Sequence, residues 1–128
     1  MKSKILMLFA ATVVLAASAV AQIGGNDWTL YGGPYTQTLA DGTTWAYSTY
    51  YSPSHTTRNG YMVTITAETV TAGSPPNFYQ FNVNCQTSEY TFAKYDTSTN
   101  PPTLSTASEW KTALAHSAGT DMLSTVCR

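Results

Sequence analysis

The chain has 128 residues, of which 43% are hydrophobic and 10% charged, enough for one small domain. Without an expected N-terminal signal, Arg58, Lys94, Lys111 and Arg128 stand against seven acids, a net charge of −3. Four dispersed bases exclude the basic footprint of a nucleic-acid or heparin binder.

The first segment reads as a secretory signal. Lys2 and Lys4 form a short basic start, and residues 5–20 are almost entirely apolar. About 16 apolar residues fall short of the roughly 20 that a spanning helix needs. Ala19-Val20-Ala21 supplies the small-x-small cleavage pattern, so the cut is expected between Ala21 and Gln22. The mature domain is then residues 22–128, secreted or periplasmic. Ser and Thr make up 31 of those 107 residues, and all nine tyrosines lie among them. Thr and Tyr suit a pleated, half-buried surface, which points to a β-rich fold.

Residues 22–27 read as a mobile polar lead. Trp28 to Tyr31 alternates and reads as a strand, ended by a turn at Gly32-Gly33-Pro34. Asp41-Gly42 marks another turn. Residues 43–51 are dense in Thr, Trp and Tyr and read as a strand, stopped by Ser52-Pro53-Ser54. Arg58-Asn59-Gly60 is a tight-turn signal. The longest strand follows over residues 61–71, with Tyr61, Val63, Ile65 and Ala67 on its more apolar face. Residues 78–86 show the clearest period of two. Tyr79, Phe81, Val83 and Cys85 point one way, and Gln80, Asn82, Asn84 and Gln86 the other. Residues 90–95 form a further strand, and residues 97–103 a loop.

Near the C-terminus, Thr106-x-x-Glu109 fits a capping box, followed by Trp110, Ala113 and Leu114 at helical spacing. A second candidate helix runs over residues 118–126 with Ser117 as its N-cap. Gly119 and Thr125 weaken it, so it needs tertiary support. The two cysteines of an exported chain read as a disulfide, Cys85–Cys127. Cys85 faces the core of the sheet, so the bond would hold the last helix across that face.

Catalytic and metal chemistry find little footing. No phosphate loop, nucleophile elbow or metal-spaced cluster is present. His55 and His116 read as solvated loop residues, and no cofactor or metal is expected. Trp45, Tyr47, Tyr50 and Tyr51 are the candidate ligand-contact aromatics. Exposed, they would make a sugar-binding platform. The competing expectation puts Trp45 and Tyr47 in the core and the Tyr50–Tyr51 pair along a sheet edge.

Together these segments resemble the surface-adhesin protein E family of exported bacterial domains. The resemblance rests on Trp28, on residues 50–60 (Y-Y-S-P-S-H-T-T-R-N-G), on the strand ending at Cys85, on Tyr90, Trp110 and Ser117, and on the terminal Val126-Cys127. It implies an antiparallel sheet of about six strands with a disulfide-held C-terminal helix. It also implies that the Trp110 region precedes that helix and is not itself helical, against the capping-box signal. The family's name-giving member is a lipid-anchored adhesin that binds matrix proteins and dimerises. Here Gln22 stands where a lipid anchor would need cysteine, so a soluble domain is expected. The chain is thus expected to be a mainly β (α+β) non-enzymatic binding domain for a protein partner, with a possible homodimer. The alternative is a small glycan-binding module.

Overall fold

A computed structural model describes residues 23–128. The expected signal segment and its Ala21–Gln22 cleavage site lie outside the described residues. The strands are β1 (Thr29–Thr38), β2 (Thr44–Tyr51), β3 (Thr57–Asn59), β4 (Met62–Thr71), β5 (Asn77–Asn84), β6 (Glu89–Asp96), β7 (Thr103–Leu104) and β8 (Lys111–Thr112), followed by one helix, α1 (Ala118–Val126). They form one antiparallel sheet, six strands across, in the order β1-β2-β4-β5-β6-β7.

The two short strands off this path extend their neighbours. Tyr47 to Tyr51 of β2 lies opposite Thr71 to Ala67 of β4. The same edge of β4 then carries β3, with Thr57 opposite Thr64 and Asn59 opposite Met62. β2 and β3 are thus one line of chain interrupted by an excursion. The Ser52 amide still donates to Thr66 O at 2.9 Å. Pro53 then opens a short 3-10 turn to His55, where its missing N–H costs nothing.

The period-two patterns sort the two faces as expected. Val63 pairs with Val83, Ile65 with Phe81 and Ala67 with Tyr79. On this face Val63, Ile65, Ala67 and Val83 form the core with Met122 and Val126 of α1. The opposite face is more polar. Thr64 donates to Asn82 Oδ1 at 2.9 Å, and Asn82 Nδ2 donates to Thr91 Oγ1 at 3.4 Å, a chain of side chains across three strands. Trp28 lies on that face, with its ring 5.9 Å from Phe78.

Both ends of α1 are held by side chains. Ser117 accepts from the Thr120 amide, as an N-cap should, and donates to Leu114 O at 2.5 Å. At the other end the Arg58 guanidinium donates to Val126 O. The Cys85–Cys127 disulfide closes a separation of 42 residues and ties the end of α1 to the end of β5. Gly119 has a packing role here. A Cβ at that position would stand 3.2 Å from the Tyr90 ring and from Ala113. Its poor helix propensity is therefore offset by close approach to β6.

Two sequence expectations are corrected. Gly32-Gly33-Pro34 does not end the first strand. β1 continues to Thr38, with register shifts between Leu30 and Gly32 and between Gly32 and Tyr35 that absorb the irregular residues. Gly33 has φ of +107°, and a Cβ there would meet the Ser48 backbone at 3.0 Å. The capping-box segment from Thr106 to Glu109 is not helical, as the resemblance implies against the local capping signal. It runs along β6 between β7 and β8, held partly by serine hydroxyls. The Phe92 amide donates to Ser108 Oγ at 3.0 Å and the Lys94 amide to Ser105 Oγ at 2.9 Å. In return the Ser108 and Ser105 amides donate to Phe92 O and Lys94 O.

The second correction concerns the lead before β1, expected to be mobile. Asp27 is anchored, accepting from Ser52 Oγ at 2.7 Å, from the Ser54 amide at 2.6 Å and from Ser54 Oγ at 2.9 Å. His55 is an exposed turn residue, as expected, with Nδ1 3.0 Å from Ser54 Oγ. The Ser52 hydroxyl, followed by the Ser54 amide and hydroxyl, pulls the Asp27 carboxyl down to about 2. A carboxyl depressed in the folded state stabilises above its ordinary value near 3.8 and loses that contribution as pH falls towards 2. Asp27→Asn should therefore lower the melting temperature at pH 5–7 and converge with the parent protein near pH 2. Parallel melting curves of the two proteins across that range check this, and a constant gap at all pH values would contradict it.

Candidate functional site

Two side-chain groupings bring chemistry together. The first is the Asp27, Ser52, Ser54 and His55 corner. In a catalytic triad the imidazole stands between serine and carboxylate. Here the serine hydroxyls stand between Asp27 and His55. With Ser54 donating to Asp27, His55 Nδ1 is left to donate to Ser54. Ser52, the buried centre of the corner, is fully enclosed and also accepts from the Gly25 amide at 3.1 Å. The arrangement fastens the start of the domain to the break between β2 and β3. It does not poise a nucleophile.

The second grouping is aromatic and lies on the helix-bearing face. α1 covers the end of that face over Val63 and Val83, and the rest of it is open. On the β1–β2 side stand Tyr35, Trp45 and Tyr47, with ring centroids 5.2 Å apart for Tyr35–Tyr47 and 5.9 Å for Trp45–Tyr47. On the β5–β6 side stand Tyr79, Phe81, Tyr90 and Phe92, successive rings 5.9 to 6.4 Å apart. Between these walls β4 presents only Ala67, Thr69 and Thr71 on this face, because alternation puts its larger Glu68 and Val70 on the other. Two aromatic walls over a floor of small residues make a channel.

Two adjoining hollows measure it. One, of about 270 Å³, lies over Thr49 and Thr69 between Tyr31 and Tyr47 on one side and Tyr79, Phe81, Tyr90 and Phe92 on the other, with Ala118 of α1 at its rim. The next, of about 510 Å³, is lined by Trp45, Leu39, Thr43, Thr44, Thr71, Ala72, Ser74 and Asn77. Their linings are neighbours in register, Tyr47 of the first pairing with Thr71 of the second and Thr69 of the first with Asn77 of the second. Burial alone pushes the Tyr79 phenol above its ordinary range, with no hydrogen bond contributing. Tyr31, in the facing wall, is pushed up to about 12, chiefly by burial. Lys94, opposite Tyr79 in register, and Lys111, whose Nζ lies 5.9 Å from the Phe92 ring centroid, flank the β6 wall. At the β1 side Tyr35 donates to Asp121 of α1.

The four candidate aromatics are divided. Trp45, at 37% exposed, and Tyr47, half-buried, join the channel, neither of them filling the core as one expectation held. Tyr51 packs on the core beside Tyr31, the two rings 6.3 Å apart and edge-on. Tyr50 points to the opposite face, in register with Leu30 and Glu68. Tyr50 and Tyr51 do not line an edge, since β2 lies between β1 and β4. In the sequence Tyr79 and Phe81 are legible only as strand residues facing one way, and Tyr90 and Phe92 only as residues of a further strand. Their role as a wall depends on the register that sets β5 and β6 across β4 from β2.

Among the described residues no group of three or more His, Cys, Asp and Glu is placed to hold a metal. Compared with models of known protein families, with curated proteins and with solved structures, the chain matches none.

Proposed function

We propose that this is a non-enzymatic binding domain of the envelope or extracellular space, similar to the surface-adhesin protein E family, and that it holds a segment of a protein partner in the aromatic channel. The observation that carries the reading is the channel: six aromatic residues around an open hollow whose floor is two threonines. Such a surface offers large contact area at low entropic cost. The Cys85–Cys127 disulfide supports an oxidising compartment. No described helix is long and apolar enough to cross a membrane.

Neither sheet edge favours binding by strand addition or an edge-to-edge dimer. β1 carries two register shifts and Pro34, and the β6 side is covered by the serine-held segment. Envelope or matrix protein captured on the immobilised domain should be lost with a Tyr47→Ala, Tyr79→Ala variant of unchanged circular dichroism. Equal capture by both would remove the channel from the reading.

The exposed Trp45 beside Tyr47 favours a second reading, a glycan-binding module. In that case the domain binds an insoluble polysaccharide, and Trp45→Ala abolishes binding without unfolding. Absence of binding by the parent protein would discard it.

A further inference from the structure

We propose that the channel's occupant is a proline-rich segment in the polyproline II conformation, uncharged along about seven residues and acidic where it passes the β6 wall. This rests on the reading of the channel as the ligand site and names the chemistry that fits it.

Length comes first. Phe81 stands beside Ile65 in register, and the outer hollow reaches Ala72. At about 3.3 Å per strand residue this span along β4 is about 23 Å. A polyproline II chain rises about 3.1 Å per residue, so about seven residues fill it.

Hydrogen-bonding character comes next. A prolyl segment has no N–H and leaves every carbonyl free, so it asks its site for donors. The channel answers with Tyr47, Tyr79 and Tyr90 hydroxyls, the Thr69 and Thr71 hydroxyls and the Trp45 indole N–H. A saccharide is different, because its hydroxyls donate as well as accept and are best met by carboxylates and amides. Asn77 is the sole amide or carboxylate side chain lining either hollow.

Shape and charge agree. Aromatic-lined grooves take prolyl rings between their faces, and the stiff ligand loses little entropy on docking. No Asp, Glu, His, Lys or Arg lines either hollow. Of the four bases outside the expected signal, Lys94 and Lys111 both stand at the β6 wall. That complements an acidic residue on an otherwise neutral ligand.

The test is a nuclear magnetic resonance titration of the isotope-labelled protein with three probes. They are a seven-proline peptide preceded by two glutamates, a Gly/Ser peptide of equal length and charge, and a neutral β-1,4-linked glucose hexasaccharide. The proline peptide should shift the amides of Tyr47, Thr69 and Tyr79 saturably, and the Gly/Ser peptide should not at the same concentration. Tyr47→Ala should weaken proline-peptide binding by about fivefold or more, the worth of one aromatic contact. Thr69→Arg, which fills the floor and leaves every wall residue unchanged in sequence, serves where Tyr47→Ala fails to fold. Equal shifts from both peptides overturn the proposal. Shifts at the same amides from the saccharide alone also overturn it, while leaving the channel as the ligand site. Shifts confined to residues outside the channel, or none with any probe, overturn both.

Discussion

Replacing Cys85 and Cys127 by alanine should cost about 2–5 kcal/mol and free α1 before the sheet. The bond closes a separation of 42 residues, for which loop-closure entropy gives about 4 kcal/mol. That is comparable with the whole net stability of many small domains. α1 has nine residues, two of them buried, and includes Gly119 and Thr125. A helix of that length is marginal without tertiary contacts. Urea unfolding of parent and variant measures the size of the effect. Amide exchange should show residues 118–126 losing protection while β4 and β5 retain it. A variant melting at the parent temperature, or a native protein with two reactive thiols, would contradict this role.

Met122→Ala should cost a similar amount, about 2–5 kcal/mol, for a different reason. Met122 is 1% exposed and is the largest side chain that α1 places in the core with Val63, Ile65 and Val83. Its truncation removes buried apolar surface and leaves a void that a sheet of fixed register closes poorly. Leu114, at 77% exposed, is the matched control, and Leu114→Ala should change stability by less than about 0.5 kcal/mol. Met122 and the disulfide hold the same helix, so their effects should not add. In the cysteine-free variant Met122→Ala should cost markedly less, since α1 is then partly released before the mutation acts. Full additivity in a double-mutant cycle would show that the helix stays docked without the bond.

How far the sequence reveals this structure depends on where each residue finds its partners. β4 and β5 are legible because both faces are sorted by alternation. Val63, Ile65, Tyr79, Phe81 and Val83 stand where the period of two puts them. Cys85 and Cys127 are legible because a chain with two cysteines has only one internal pairing. β1 misleads because glycine and proline usually punctuate. At an outer strand one side carries no ladder, so Pro34 is tolerated and register shifts absorb the glycines. The segment after β7 misleads because Thr106 and Glu109 imitate a helix start, while Ser105 and Ser108 bond to β6 through side chains and leave no alternation to read. Asp27 and Ser52 lie 25 residues apart and meet only in the folded chain. The channel is half legible. Its aromatics are conspicuous, but the small Thr69 and Thr71 between them matter only once β4 is placed between β2 and β5.

The serine-held side of β6 has a dynamic consequence. In an ordinary ladder an amide proton meets solvent only when two backbones part. The Phe92 and Lys94 amides are instead guarded by single hydroxyls, Ser108 Oγ and Ser105 Oγ. Ser105 is exposed and Ser108 half-buried, and rotamer changes of solvent-accessible side chains are fast, picoseconds to nanoseconds where they are exposed. Each amide can therefore be uncovered by rotation about one side-chain bond while the neighbouring chain stays in place. Their deuterium uptake would report serine rotamer populations, with no information on how often the sheet itself opens.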